Sequence, residues 1–369
     1  MAMAGGMFDR EASVRQMATR ATVPPTAPPR AGFVARRTRF AVKSVGLVLG
    51  LAGVVVIALL SLRIGSLDLT TETAWNAIVN FDPNSYEQTV VRSLRLPRTI
   101  VALAIGGALA VAGATMQAVT RNPLADPFIL GVSSGASFAI VTVVYYAGLS
   151  SPHQYIWFAF AGALGASALV FAVGAAGSGG PTPIKLALAG VVISAALGAW
   201  TSALLLLDDE TLDTVRFWLA GSVVNRDMAT FWFVSPFLVG GSLLCLLLGH
   251  QLNVLNLGED TAKALGMRTG PVRIVSSVIV VLITGAAVAV AGPIGFVGLA
   301  VPHMMRAVVG VDYRWLLPYS LVYGAIFLTA ADIVGRVVTR PAELQAGIVT
   351  AFVGVPFLVY LARRRGLAE

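Results

Sequence analysis

Asp332 and Arg336 stand four residues apart in 331-ADIVGR-336, near the end of an apolar run. On one helix that spacing lets a carboxylate meet a guanidinium, which offsets the cost of taking either charge out of water. A second cationic group, 92-RSLRLPR-98, places Arg92, Arg95 and Arg98 at the mouth of another apolar run. Arg95 and Arg98 are three apart, so a helical or turn backbone points both toward one acidic partner, and a guanidinium fork grips a carboxylate through paired hydrogen bonds. The competing reading has these arginines lying along the membrane interface with their charged ends in water. A single carboxylate inside a span is a functional candidate, but a proton relay needs more than one.

Two further stretches carry polar residues that an apolar chain does not need for packing alone. In 251-QLNVLNLGEDTAKALGMRTG-270, Leu257 precedes Gly258, after which Glu259, Asp260 and Lys263 share a short helix with Ala262, Ala264 and Leu265, ended by Gly266. Acidic residues in the first turn and a base one turn later favour this helix, and its compact polar character suits a docking element. In 121-RNPLADPFILGVSSGAS-137, Pro123 and Pro127 stop helix propagation and Asn122 serves as a local cap. Gly131 and Gly135 form a small face for a close neighbour, while Asp126, Ser133 and Ser134 add polar groups at the break. A plain hairpin between packed helices and a break beside a solute path both fit these residues.

Other chemistry is missing. The chain has no GxxxxGK loop for nucleotide phosphates and no HExxH pair for zinc, and His153, His250 and His303 are scattered in separate segments. The one cysteine, Cys245, lies in an apolar run. No catalytic residue and no metal site are expected, and any pumping must draw its energy from elsewhere.

The elements that position these groups follow from composition. Hydrophobic residues make up 57% of the 369 and charged residues 12%, with mean hydropathy +0.81, whereas soluble domains have roughly a quarter of their residues charged. Uncharged runs reach the ~20 residues that cross a hydrocarbon core as helix, so an all-α polytopic membrane protein is predicted. The runs are 44–62, 99–119, 128–148, 155–176, 184–207, 229–249, 272–293, 298–310, 316–338 and 345–362, ten in all. The eighth is short, and Pro293 and Pro302 bend or interrupt its surroundings. The net charge of +8 points to no nucleic acid, because the basic residues gather on the side shared by both termini. That asymmetry predicts an even number of spans with both ends in the cytoplasm. Residues 1–43 read as a disordered basic cytoplasmic tail rather than a cleaved leader, and 44–365 as one transmembrane domain.

Together, 94-LRLPRTIVALAIGGALAVAGATMQAVTRNPLADPFILGVSSGAS-137, LGEDTAKALG (257–266), AGPIGFVGLAVPHMMR (291–306) and ADIVGRVVTRPAELQAGIVTAFVGVPFLVYL (331–361) resemble the FecCD/BtuC family. These are permease subunits of ATP-driven importers for ferric siderophores, haem and vitamin B12. The resemblance covers 44–365 and implies the type II ABC importer permease fold, with ten transmembrane helices per subunit in the inner membrane. It implies a second permease subunit, identical or homologous, two cytoplasmic ATPase subunits that use ATP and Mg, and an extracytoplasmic binding protein. No cofactor on this chain is implied. It also implies that Arg95, Arg98 and Arg336 meet acidic residues of the binding protein. Likewise 251–271, with Leu257, Gly258, Glu259, Asp260, Ala262, Lys263, Leu265 and Gly266, becomes the cytoplasmic segment that enters the ATPase. A ferric siderophore is the expected cargo, with haem or cobalamin as the alternatives, and a scaffold or receptor without transport is the reading from another class.

Overall fold

Inside hydrocarbon a backbone N–H or C=O finds no water, so long apolar runs satisfy these groups within helices. The computed structural model describes residues 31–65, 67, 69–149, 151–176, 182–340 and 342–365, and every regular element among them is helical. The chain divides into two units, Met1–Val45 and Gly46–Glu369. In the first, the described part is helix from Ala31 onward. The tail predicted to be disordered to residue 43 is therefore helical over 31–43, and residues 1–30 lie outside the described residues.

In chain order the helices are α1 (Ala31–Arg63), α2 (Thr71–Val79), α3 (Tyr86–Thr120), α4 (Val132–Ala147), α5 (Pro152–Ala175) and α6 (Pro183–Leu207). They continue as α7 (Asp209–Leu219), α8 (Met228–Leu247), α9 (Gly249–Asn256), α10 (Glu259–Ala264) and α11 (Thr269–Ala291). The last are α12 (Val297–Val309), α13 (Tyr313–Val338) and α14 (Ala346–Arg365). Among the described residues seven helices are long and apolar enough to cross a membrane, namely α1, α3, α5, α6, α8, α11 and α13, and α4, α12 and α14 are shorter apolar helices. These occupy the ten runs predicted from hydropathy. Gly292 and Phe296 both take positive φ around Pro293, which makes the interruption before α12, whereas Pro302 is accommodated inside that helix.

The core is built around α3, packed most extensively on α13 and also on α11, α12 and α8. Its sequence explains this placement. In LAIGGALAVAGATM eight of the fourteen residues are Gly or Ala, which lets backbones approach and gain dispersion contact where lipid supplies no hydrophobic drive. At the crossing with α13, a Cβ on Gly106 would land on the Gly324 carbonyl oxygen, so the two helices can meet only with glycine there.

Several elements were not anticipated, α9 among them. α2 is capped by Thr70, whose hydroxyl accepts from Thr73 N–H at 3.0 Å. α7 is capped by Asp208 and buries Thr211, Val215 and Trp218 on one face; its acidic first turn hid an amphipathic helix among charges. α3 starts at Tyr86, well before residue 99, and carries a π turn over Val91–Arg95 in which Leu96 N–H reaches Val91 O. Pro97 lacks an N–H and crowds the preceding turn of a regular helix; the wide turn just before it relieves that crowding and re-aims the arginines.

Candidate functional site

Arg95, Arg98 and Arg336 are brought together, but they point inward. Asp332 on α13 is fully buried and receives Arg98 Nε at 3.0 Å from each carboxylate oxygen and Arg98 Nη2 at 2.8 Å. Arg336, one turn along α13, donates Nε to Asp332 Oδ2 at 3.0 Å and adds a second contact through Nη2. Arg98 Nη1 meets Glu343 Oε2 at 2.6 Å. The remaining donors serve the end of α1, whose last carbonyls have no partner within the helix. Arg336 Nη1 reaches Ser61 O at 2.7 Å and Ile64 O at 3.1 Å. Arg95 Nη1 reaches Leu62 O at 3.0 Å and Arg63 O at 2.6 Å, and its Nη2 contacts Leu67 O. The guanidiniums thus act as the C-terminal cap that α1 does not make for itself, and they tie α1, α3 and α13 at one end of the bundle.

This geometry corrects two expectations. Arg95 and Arg98 do not converge on one acid, because the π turn sends Arg95 to carbonyls of α1 and the following chain while Arg98 faces α13. Arg336, 2% exposed, is committed to Asp332 and α1 and does not reach outward. What the cluster offers a partner is a cleft of about 280 Å³ lined by Leu94, Arg95, Arg98, Asn225, Arg336 and Glu343. Three guanidiniums against the carboxylates of Asp332 and Glu343 leave the cluster net positive.

The segment 251–271 forms two short helices. α9 ends at Asn256, Gly258 turns the chain with φ 109°, and α10 follows until Gly266, at φ 80°, ends it. Ala262 is buried and Met267 N–H returns to Ala262 O at 3.0 Å, so α10 is held closed on its inner side. Glu259 is bracketed by Lys263 at 3.0 Å and Arg273 at 3.5 Å, and these cations, Lys263 foremost, hold its carboxyl below the usual range. Asp260 and Lys263 are exposed. Leu257 and Leu265 are 62% and 64% exposed at either end of α10, an apolar pair that no described residue covers. Behind it, Asn253 Nδ2 donates to Asp312 Oδ1 at 2.6 Å and Asn253 Oδ1 accepts from Tyr313 N–H at 2.8 Å, locking α9 to the start of α13. Burial alone would raise Asp312, but the hydrogen bonds from Arg314 and Asn253 bring it down to about 2, so it stays ionised and the lock persists through the neutral range.

In the 121–137 break, Asn122 Oδ1 accepts from Leu124 N–H and Asp126 Oδ1 from Phe128 N–H, each at 2.9 Å. Pro127 opens a 3-10 turn over Pro127–Leu130, and Gly131 at φ 75° caps the start of α4, four residues later than predicted. Ser167 Oγ donates to Leu130 O at 3.0 Å, and Gly135 faces the backbone of Gly162 so closely that a side chain would not fit. Pro123, Ser133 and Ser134 are half-buried. Local capping and helix packing account for most of the break.

Ser61, Asn253, Asp312 and Glu343 carry these sites and were not singled out from sequence. Ser61 and Arg336 are 275 residues apart, and Arg98 and Glu343 245 apart, so no local spacing marks them. A carboxylate at Glu343 just after the ninth apolar run was the one visible signal.

The sequence profile of the FecCD transport family matches residues 45–364. The ferric enterobactin transport system permease of Escherichia coli (strain K12) is 45% identical over 307 residues, covering 83% of this chain and 91% of that protein. The iron(3+)-hydroxamate import system permease of Bacillus subtilis (strain 168) is 43% identical over 328 residues, covering 87% and 84%. The hemin transport system permease of Yersinia pestis is 36% identical over 316 residues, covering 84% and 93%. A solved metal-chelate type ABC transporter in an inward-facing conformation superimposes with a TM-score of 0.75 at 30% identity, covering 88% of this chain and 99% of that one.

Proposed function

The chain belongs to the FecCD transport family, and from that premise we propose that it is the membrane-spanning permease of an ATP-driven importer whose cargo is a ferric siderophore complex. The observation that carries the cargo is similarity to ferric-chelate permeases: identity is 45% to the ferric enterobactin permease and 43% to the iron(3+)-hydroxamate permease. In this reading ATP and Mg are handled by two cytoplasmic ATPase subunits, a second permease subunit completes the path, and an extracytoplasmic protein delivers the chelate. Both termini and α10 face the cytoplasm of the inner membrane, and the arginine cleft faces outward. Reconstitution with the ATPase and binding protein, followed by uptake of radioactive iron as siderophore or as haem, tests it. ATP-dependent siderophore uptake is expected; haem-only uptake, or accumulation without ATP, overturns it.

Docking of the binding protein is assigned to the cleft around Arg95, Arg98 and Arg336. Three buried guanidiniums with two carboxylates attract acidic groups while remaining in place, which sets encounter rate and orientation. Glu343, a partly exposed member at the rim, tunes that attraction without being needed to neutralise the buried pair. Glu343→Gln is therefore expected to tighten binding-protein affinity about threefold at low ionic strength, the scale of one partly screened charge, and less in moderate salt. An affinity that falls, or is unchanged at both salts, counts against docking at this cleft.

A further inference from the structure

Beside the arginine cleft, and sharing Val224, Asn225 and Glu343 with it, lies a second cavity of about 370 Å³. Its walls come from the first turn of α5 at Tyr155, the last turn of α7 at Trp218, the 220–227 loop and the chain before α14 at Gln345. The loop is built rather than slack. Ser222 N–H donates to Ala291 O at 2.7 Å at the end of α11, and Gly347 N–H at the start of α14 donates to Gly221 O at 2.9 Å.

Arg226 lines this cavity with no acidic partner among the described residues. Its one hydrogen bond is Nε to Ser222 O at 2.8 Å, which orients the side chain and leaves the terminal nitrogens without a protein acceptor. The adjacent carboxylate is committed elsewhere: Asp227 caps α8 through Thr230 N–H at 2.8 Å and pairs with His153 at 3.1 Å. The cavity's own carboxylate, Glu343, is held by Arg98. Burial lowers the Arg226 guanidinium to about 10, so it is still a cation at neutral pH. A half-buried cation without a counter-ion is costly to keep, and the protein has placed it against aromatic walls where the dielectric is low and an arriving anion is held strongly.

We propose that this cavity is an entry subsite for an anionic ferric chelate, in which the terminal nitrogens of Arg226 bind the negatively charged ligand shell and the exposed ring of Phe217, backed by the buried Trp218 and Tyr155, forms the apolar wall. The inference rests on the permease reading and narrows it: a trianionic tris-catecholate complex is favoured over an uncharged trihydroxamate complex. The guanidinium needs no proton transfer and the iron needs no protein ligand; recognition is by charge and by stacking of flat ligand arms.

The test uses the full chain in lipid nanodiscs, titrated with a hexadentate ferric tris-catecholate and with a ferric trihydroxamate, read by quenching of tryptophan fluorescence. Wild type is expected to bind the trianion saturably. Arg226→Gln should weaken that binding about tenfold or more, the scale of one charge-assisted contact, while Arg226→Lys should stay within about threefold. The trihydroxamate should be bound more weakly and shift less than about twofold in either variant. Unchanged thermal unfolding of the Gln and Lys variants establishes that the fold is kept, and Arg226→Lys supplies a folded comparison if the Gln variant is not. Equal trianion affinity in wild type and Arg226→Gln, equal losses for both chelates, or no saturable trianion binding to wild type overturns the subsite. ATP-driven uptake by the wild-type assembly separates the two levels: uptake with an unaltered Arg226→Gln titration rejects the subsite and keeps the permease, whereas no uptake of either chelate rejects the permease reading itself.

Discussion

Asp332→Ala is expected to lower stability by about 3–5 kcal/mol, because removing one member of a buried ionic group strands the others in low dielectric. Asp332 is the carboxylate on which both Arg98 and Arg336 close, and it is 0% exposed. Its loss would also free the two guanidiniums that fix α3 and α13 against each other, and with them the cap on α1. Thermal unfolding of the purified protein in a mild detergent, followed by loss of monodispersity on heating, measures the change. The matched control is the triple variant Asp332→Leu, Arg98→Met and Arg336→Leu, which removes the three mutually paired buried charges together and leaves Arg95 on its α1 carbonyls and the partly exposed Glu343 at the rim. If the charges are needed only in balance, the triple variant recovers much of the stability, since apolar replacement of a whole buried ionic group is often neutral or better. A single variant as stable as wild type would mean that the group is reached by water and is not the tie described here. The same reasoning excludes charge reversal of Arg95, Arg98 and Arg336 as a docking test, because those variants would be expected to fail in folding first.

Replacing Leu257 and Leu265 together with aspartate is expected to abolish productive assembly with the ATPase subunit. Both leucines project from the ends of α10 with most of their surface exposed, so the permease itself should insert and unfold as wild type does. In a docked complex each would bury an apolar side chain worth about 1.5–3 kcal/mol. Losing both corresponds to a hundredfold or greater weakening, at about tenfold for every 1.4 kcal/mol. Titration of the ATPase subunit onto nanodisc-embedded permease and ATP-dependent uptake read the two consequences. Glu259→Arg should act more mildly on affinity, because the ion pairs of Glu259 with Lys263 and Arg273 lie near the surface and such pairs contribute little. Normal assembly of the double leucine variant would remove α10 from the interface.

What the sequence determines by itself is whatever is local in the chain. Hydropathy over about twenty residues located the ten apolar runs, because a helix in hydrocarbon must satisfy its own backbone wherever it is placed. The acidic first turn and closing glycine of 257–266 marked α10 for the same local reason, and the small residues of 101–114 announced a helix that others approach closely. Charged segments were harder. α7 and the N-terminal extension of α3 went unpredicted because polar amphipathic helices lack the long apolar run. The tertiary structure alone decided what the arginines do. Arg95 and Arg98, read as a pair reaching for one acid, are separated by a π turn, and their partners lie on α1, α13 and the chain before α14. Arg226 carried no motif at all; its interest comes from Asp227 and Glu343 being engaged elsewhere. A buried charge is governed by whichever groups the fold brings within about 3 Å. The partners of Arg98 and Arg336 come from hundreds of residues away, as well as from one turn along α13, and only packing of the helices selects them.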